Sequence, residues 1–392
     1  MHSILRIVQI AAVFGAVSSA IYYLLCLWSA ANFLRRRKAS KRGRPTGSFP
    51  PVSILKPLKG TDPEMYESFR SHCLQDYPEY EIIFGVHDPK DPAIENVRRL
   101  QSEFPDRRIQ LVVCEKILGA NVKVSNLVQM LDAAVNDLLL VNDSDIRVEP
   151  DYLRRIVEPL ADPQIGMVTC LYRGVDASTL GSRLEALGIS TDFCAGVLAA
   201  WQLEGGIRFG LGSTLALRRG DLQKVGGFEV LADYLADDYE LGKRIADAVL
   251  KVELSQTVVE TYLPAYSVRE FLAHQLRWAR GIRDARAGGY FGLLFTFGLM
   301  WSGLVLLAGR GADWAWEIAA IAVALRFAVA IAVGKAVLED RQLLRQLWLL
   351  PIRDLAAVVI WIASFLGHSV TWRGDRFELK HGKLVAQRST EV

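Results

Sequence analysis

Apolar residues are distributed along the chain in two ways: long unbroken runs near the ends, and short blocks separated by amphipathic stretches in the middle. The first long run, Ile7 to Leu34, holds twenty-eight residues without a charge. A helix rising about 1.5 Å per residue over that length exceeds a hydrocarbon core of roughly 30 Å, so 7–34 reads as an N-terminal transmembrane anchor. A secretory signal peptide with small residues at Ser18-Ser19-Ala20 is the competing reading. The apolar run continues past that point, however, and ends in Arg35-Arg36-Arg37-Lys38. With Lys41, Arg42 and Arg44, this cluster predicts an outward N-terminus and a cytoplasmic chain beyond it.

A second oily region, 290–370, holds three segments: Tyr290 to Gly309, the clearest span, then Trp314 to Gly334, then Leu355 to Val370. Arg326 stands near the middle of the second and is expected to face protein or water rather than lipid. Between the second and third, Lys335 to Asp354 carries the apolar run Leu347-Trp348-Leu349-Leu350-Pro351 and reads as a cytoplasmic helix lying in the interface. Three full spans would put the tail, 371–392, outside. That tail is basic (Arg373, Arg376, Lys380, Lys383, Arg388), so the third segment either crosses or re-enters.

The block 46–289 reads as one cytosolic domain of alternating strand and helix. Val52-Ser53-Ile54-Leu55, Glu81 to Val86, Ile109 to Cys114 and Asp137 to Val141 are four short strands, and Ala93 to Phe104 and Ser125 to Ala134 are helices. Pro92 heads the first helix, whose Ile94, Val97, Leu100 and Phe104 fall at helical spacing. Continuous apolar strands fit a mostly parallel sheet covered on both faces, with ligands beyond the carboxyl ends of the strands.

Composition sharpens this picture. Of 392 residues, 51% are hydrophobic and only 23% charged, too oily for an ordinary soluble domain. A net charge of +3 argues against nucleic acid as a partner, since phosphate binding needs a concentrated basic face. Five cysteines (Cys26, Cys73, Cys114, Cys170, Cys194), never spaced Cys-x-x-Cys, exclude a zinc ribbon and read as buried free thiols.

Charged residues gather at the strand exits. Asn142-Asp143-Ser144-Asp145 follows the fourth strand, and its two carboxylates suit a hard divalent cation, Mg2+ or Mn2+, which takes oxygen ligands. The same residues also suit a turn or helix cap. Asp88 and Asp91, after the second strand, offer acceptors to a nucleotide base or ribose, or make a turn beside proline. In Ala236-Asp237-Asp238-Tyr239 adjacent carboxylates repel, so one should titrate high and serve as a general base; a helix N-terminus is the alternative. His274-Gln275-Leu276-Arg277-Trp278 offers a positive fork beside an aromatic plane, or an interfacial patch next to the membrane.

The order Pro-Val-Ser-Ile-Leu-Lys-Pro-Leu-Lys-Gly (51–60), His-Asp-Pro-Lys-Asp-Pro-Ala (87–93), Asp-Ser-Asp-Ile-Arg-Val (143–148), Ala-Asp-Asp-Tyr (236–239) and Arg-Trp (277–278) resembles the membrane glycosyltransferases of family 2. More closely it resembles family 21, the ceramide glucosyltransferases, and the related bacterial glycosyltransferases of hopanoid synthesis. The likeness covers nearly the whole chain, ending in Thr-Trp-Arg-Gly-Asp-Arg-Phe (371–377). The last family motif reads (Gln/Arg)-x-x-Arg-Trp; this chain has His274 at its head.

The resemblance implies an α/β nucleotide-diphospho-sugar (GT-A-type) domain with a mostly parallel sheet, plus N- and C-terminal transmembrane helices. It also implies roles. Asp88, Asp91 and Lys123 would hold the nucleotide of a UDP-sugar, with Asp143 and His274 also on the donor; Asp143 and Asp145 would take Mg2+ or Mn2+. Asp238 would be the catalytic base, and Arg277 and Trp278 would close over diphosphate and acceptor. One base and no second nucleophilic carboxylate imply inversion. The acceptor would come from the bilayer as a membrane lipid, and Leu184 to Trp201 reads as an interfacial helix feeding its headgroup to the site, or as a core helix. Ceramide with glucose, and a hopanoid polyol with N-acetylglucosamine, both fit. So, less well, do a polysaccharide synthase, a polyprenyl-phosphate sugar transferase and a non-enzymatic membrane scaffold or channel. The resulting expectation is an integral membrane protein, of a bacterial inner membrane if the hopanoid likeness holds, with its catalytic domain in the cytoplasm.

Overall fold

A computed structural model describes residues 2–40, 49–372 and 375–386. Lys41, Arg42, Arg44, Arg373 and Arg388 of the basic clusters lie outside the described residues. The chain divides into two compact units, each discontinuous in sequence. One comprises 1–36, 176–202 and 265–382, the other 37–175, 203–264 and 383–392. The contiguous 46–289 block read from the sequence is therefore interrupted: 176–202 and 265–289 belong with the apolar helices. Local pattern misses this because a buried apolar helix such as Leu180–Leu203 has the same composition in either unit.

The second unit is built on an eight-stranded sheet: β1 (Val52–Leu58), β2 (Tyr80–Val86), β3 (Arg108–Val113), β4 (Leu138–Val141), β5 (Ile146–Arg147), β6 (Ile165–Val175), β7 (Leu215–Arg218) and β8 (Lys251–Tyr262). They lie in the order β3-β2-β1-β4-β7-β6-β8-β5. The first four, all expected, run parallel, with Leu55 opposite both Ile83 and Val141. β1, β2 and β4 are buried at every position, as continuous apolar runs require. β7 is antiparallel to β4 and β6, while β6 and β8 pair in parallel. The expected helices occur as Ala93–Glu103 and Val122–Ala133, the latter capped by the Asn121 side chain, which accepts from Val124 N.

The first unit opens with a helix over His2–Ser40. Ile4, Ile7, Ile10, Phe14, Val17, Ile21, Leu24 and Trp28 form an exposed apolar stripe along it. Its opposite face is buried and carries small or hydroxyl-bearing residues: Ala12, Ala16, Ser19, Tyr23, Cys26 and Ala30. Among the described residues, four helices are long and apolar enough to cross a membrane: Ile4–Ala39, Leu180–Leu203, Asp313–Val337 and Leu343–Ser364. A pair bent by 52°, Ala287–Thr296 with Gly298–Ala308, would make a fifth if counted as one span.

Three expectations change here. The run from Tyr290 to Gly309 is broken rather than straight: Tyr23 Oη donates to Thr296 O and accepts from Gly298 N, both at 3.0 Å, closing the gap. Leu347 to Pro351 lies within the last apolar helix, Leu343–Ser364, rather than in a separate interfacial one. Pro351 falls in the first turn of its α-helical stretch Leu350–Ser364, where a missing N–H costs nothing, and Asp354 is neutralised by Arg326. The stretch containing Leu184 to Trp201 is mostly buried within its unit, not spread on an interface. Arg326 does face protein, donating to both oxygens of Asp354 at 2.8 and 2.7 Å and to Thr191 O at 3.0 Å. All five cysteines are free and buried.

Candidate active site

The parallel half of the sheet sends the ends of β1, β2 and β4 to one edge, which brings three of the expected motifs to the same side of the second unit. Asn142, fully buried, donates to Tyr152 Oη at 2.9 Å and to Ser213 O at 2.6 Å. The exit of β4 is thereby tied to the loop Gly210-Leu211-Gly212-Ser213. Leu211 is in turn clasped by the Thr169 hydroxyl of β6, which accepts from its N–H at 3.0 Å and donates to its carbonyl at 3.2 Å.

On this loop the two acidic motifs meet. A Cβ on Gly212 would stand 3.1 Å from Asp143 Oδ2 and 3.1 Å from Asp238 Oδ2. Asp238 begins the helix Asp237–Asp247, whose Gly242 lies so near Phe209 and Gly210 that a methyl group there would sit 2.2 Å from Gly210 N. Gly210 N also donates to Asp238 O at 3.2 Å. The glycines are therefore what admits the helix, and its carboxylates, to the end of β4.

Lys123 joins the same group, 2.8 Å from Asp143 Oδ1 and 3.3 Å from Asp237 Oδ2. Burial acts to discharge this ammonium, but Asp143, Asp237 and Asp238 outweigh it and hold it firmly protonated. Lys56, fully buried on β1, donates to Asp143 O at 3.0 Å. Burial drives its pKa down to about 7 despite the pull of Asp145 and Asp143. Sequence reasoning gave Lys56 and Gly212 no role, although Lys56 lies inside the 51–60 motif it singled out.

Asp145 accepts from the Thr261 hydroxyl of β8, and Thr261 is itself buried. Burial first, and then the Asp143 charge, push its carboxyl up to about 7. Asp238 is pushed up to about 6, by burial and by Asp237, with Lys123 opposing. Four carboxylates facing two lysines leave negative charge unbalanced. The chemistry of the set therefore fits a divalent cation on Asp143 and Asp145. No cluster of three His, Cys, Asp or Glu ligands occurs among the described residues, so such an ion would complete its shell with phosphate oxygens and water, as Mg2+ commonly does.

The other expected residues are placed as follows. Asp88 is exposed at its turn, where Oδ1 accepts from Lys90 N at 2.8 Å. Asp91 has both oxygens on backbone: Oδ1 accepts from Gly60 N and Ala93 N and Oδ2 from Gly60 N, so it joins the exit of β1 to the start of the next helix. His274, Arg277 and Trp278 lie in the first unit, on the helix Val268–Ala285, which begins with a capping box of Ser267 and Glu270. The His274 ring stacks on Tyr266 and tilts against Trp278, with centroids 5.4 and 5.3 Å away, and its Nδ1 lies 3.3 Å from buried Glu185. Trp278 also meets Phe193 edge-on at 6.1 Å.

A sheet with this order, and acidic residues at its carboxyl edge, define the class: a GT-A-type glycosyltransferase. Over 91% of this chain and 99% of its own, a mannosyltransferase from Pyrobaculum calidifontis, solved with GDP-Man and Mn2+, has the same fold at a TM-score of 0.54 and 22% identity. The model of glycosyl transferase family 21 matches residues 11–385, so the chain belongs to that family and is a hexosyltransferase like the ceramide glucosyltransferases. Ceramide glucosyltransferase 1 of Caenorhabditis elegans is 24% identical over 94% of this chain and 79% of its own length. Ceramide glucosyltransferase 3 of the same organism is 25% identical over 86% and 74%.

Proposed function

We propose that the protein transfers a hexose, glucose foremost, from a UDP-sugar to a hydroxyl group of a membrane lipid such as ceramide, with inversion at the anomeric carbon. The observation that carries this reading is the convergence of the Asp143 and Asp238 carboxylates over Gly212, with Lys123 bridging to Asp237. Asp238 is the base: with its pKa near 6 it is mostly ionised at neutral pH, yet near enough to accept a proton effectively. It takes the proton of the lipid hydroxyl as that oxygen bonds to the anomeric carbon and the bond from that carbon to the diphosphate oxygen breaks.

Lys56 and Lys123 hold Asp143 from its carbonyl and its carboxylate, fixing its free oxygen toward the donor. Asp88 is assigned to the nucleotide, and Asp91 acts by holding the Gly60 turn beside it. Mg2+ or Mn2+, when bound by Asp143 and Asp145, supplies positive charge against the leaving diphosphate. The family motif alone assigns Arg277 to the leaving group and Trp278, oriented by His274, to the acceptor. By the same reading the protein resides in a membrane with its sheet domain in the cytoplasm.

The test is incubation of the chain in nanodiscs with UDP-glucose or UDP-N-acetylglucosamine and with ceramide or a hopanoid polyol, followed by mass spectrometry of the lipid. A β-glycosylated lipid that disappears in excess EDTA is expected. Sugar recovered only in polymer, or undiminished transfer in EDTA, would overturn the acceptor class or the metal role respectively.

A further inference from the structure

The first unit buries charged side chains that the chemistry above leaves unused. Within the stretch Leu180–Leu203 the α-helix gives way to one π turn, Ile189–Phe193. Such turns inside α-helices re-aim side chains and are frequent at functional sites. Here the turn presents Asp192, whose side chain is 44% exposed.

Arg353 lies opposite, 5% exposed. Its Nη2 donates to Gln275 Oε1 at 3.1 Å and stands 3.8 Å from Asp192 Oδ2, too far for a hydrogen bond. Its Nε and Nη1 are buried without any hydrogen-bond partner. Gly188, one residue before the π turn, makes room for the guanidinium: a Cβ there would lie 2.4 Å from Nε. Arg326, the neighbouring buried arginine, differs in being saturated by Asp354 and Thr191. A buried guanidinium with open donors beside a half-exposed carboxylate carries a desolvation cost that a ligand can relieve.

The open groups specify that ligand. Arg353 needs an acceptor and Asp192 a donor, and a hydroxyl or amide supplies both. Asp192 already stands against the single charge of Arg353, leaving no positive surplus for a phosphate. The cluster also adjoins the acceptor motif within the same unit. Gln275 donates to both Glu185 oxygens, at 2.9 and 3.0 Å, and Phe193 of the π turn touches Trp278.

We propose that Arg353 and Asp192, set apart by the π turn and Gly188, bind the neutral hydroxyl-bearing head of the lipid acceptor and discriminate against lipid phosphates. This rests on the lipid-transfer reading and names the headgroup site within it.

The experiment is equilibrium binding of radiolabelled ceramide to the full chain in phosphatidylcholine nanodiscs without nucleotide sugar, with polyprenyl phosphate as competitor. Ceramide is expected to bind without competition. Asp192→Asn and Arg353→Gln should each weaken it roughly tenfold to a hundredfold, the effect of removing a hydrogen bond to a charged group. Gly188→Ala keeps both charges but displaces the guanidinium and should weaken binding as well. Should Arg353→Gln fail to fold, the near-isosteric Asp192→Asn decides. Unchanged binding in Asp192→Asn, or equal competition by polyprenyl phosphate, overturns the site. Ceramide bound through these residues with no sugar transferred from any donor leaves the site standing and removes the transfer reading. Transfer with an unchanged acceptor KM in Asp192→Asn does the reverse.

Discussion

Lys123 is the residue on which the balance of charge in the site turns, since it touches a carboxylate of each acidic motif. Lys123→Met should destabilise the sheet domain by about 3–5 kcal/mol, the cost of leaving buried charge uncompensated, measured as a drop in urea midpoint. The same change removes the group that holds the Asp238 pKa down. Protonation disables a base, so kcat/KM of the wild type should fall as pH drops through about 6, and that limb should move to higher pH in Lys123→Met. Asp238→Asn should lose about 10²–10⁴-fold in turnover while retaining nucleotide binding. Wild-type turnover retained in Asp238→Asn would refute the assignment. Asp143 and Asp238 were legible in the sequence because paired acids at a strand exit and a helix start are conspicuous. Lys56 was not, because a lone lysine within an apolar strand gives no sign of donating to the Asp143 carbonyl.

At the level of elements, glycine contacts set how closely a helix meets a strand end. Gly212→Ala leaves the chemistry of the site unchanged but drives a methyl group between Asp143 and Asp238. Each carboxylate must yield by a few tenths of an ångström, so turnover should fall by roughly tenfold, less than the penalty of about a hundredfold for a misplacement of about 1 Å, with thermal stability nearly unaltered. Asp354→Asn strips the countercharge from buried Arg326 and should cost about 3–5 kcal/mol, read as a lowered melting temperature in detergent; Arg326→Leu with Asp354→Leu should recover much of it. β1 to β4 could be read directly from their unbroken apolar runs. β5, two residues long, and the antiparallel β7 could not, since their pairing depends on partners far along the chain. The break at Phe297 is not legible in the sequence for a similar reason: the hydroxyl that closes it belongs to Tyr23.

For the molecule as a whole, the excess of apolar residues resolves into an exposed stripe on the first helix and further exposed side chains such as Trp316, Ile321, Leu355 and Ile362 on later ones. The protein should therefore sediment with membranes, resist extraction by high salt or alkaline carbonate, and dissolve only with detergent. The division into two units lay beyond sequence reading because each is assembled from three separate stretches. Composition shifts mark where a chain enters a membrane, not which distant segment it packs against.

The hydroxyl of Tyr23 also has a bearing on biogenesis. Its partners at Thr296 and Gly298 are made some 273 residues later. At roughly 5–20 residues per second the ribosome needs on the order of tens of seconds to reach them. Until then Tyr23 must wait without the two partners it has in the finished fold, whereas Ser19 can already donate to Gly15 O of its own helix. Any truncation upstream of Thr296 leaves Tyr23 permanently an orphan.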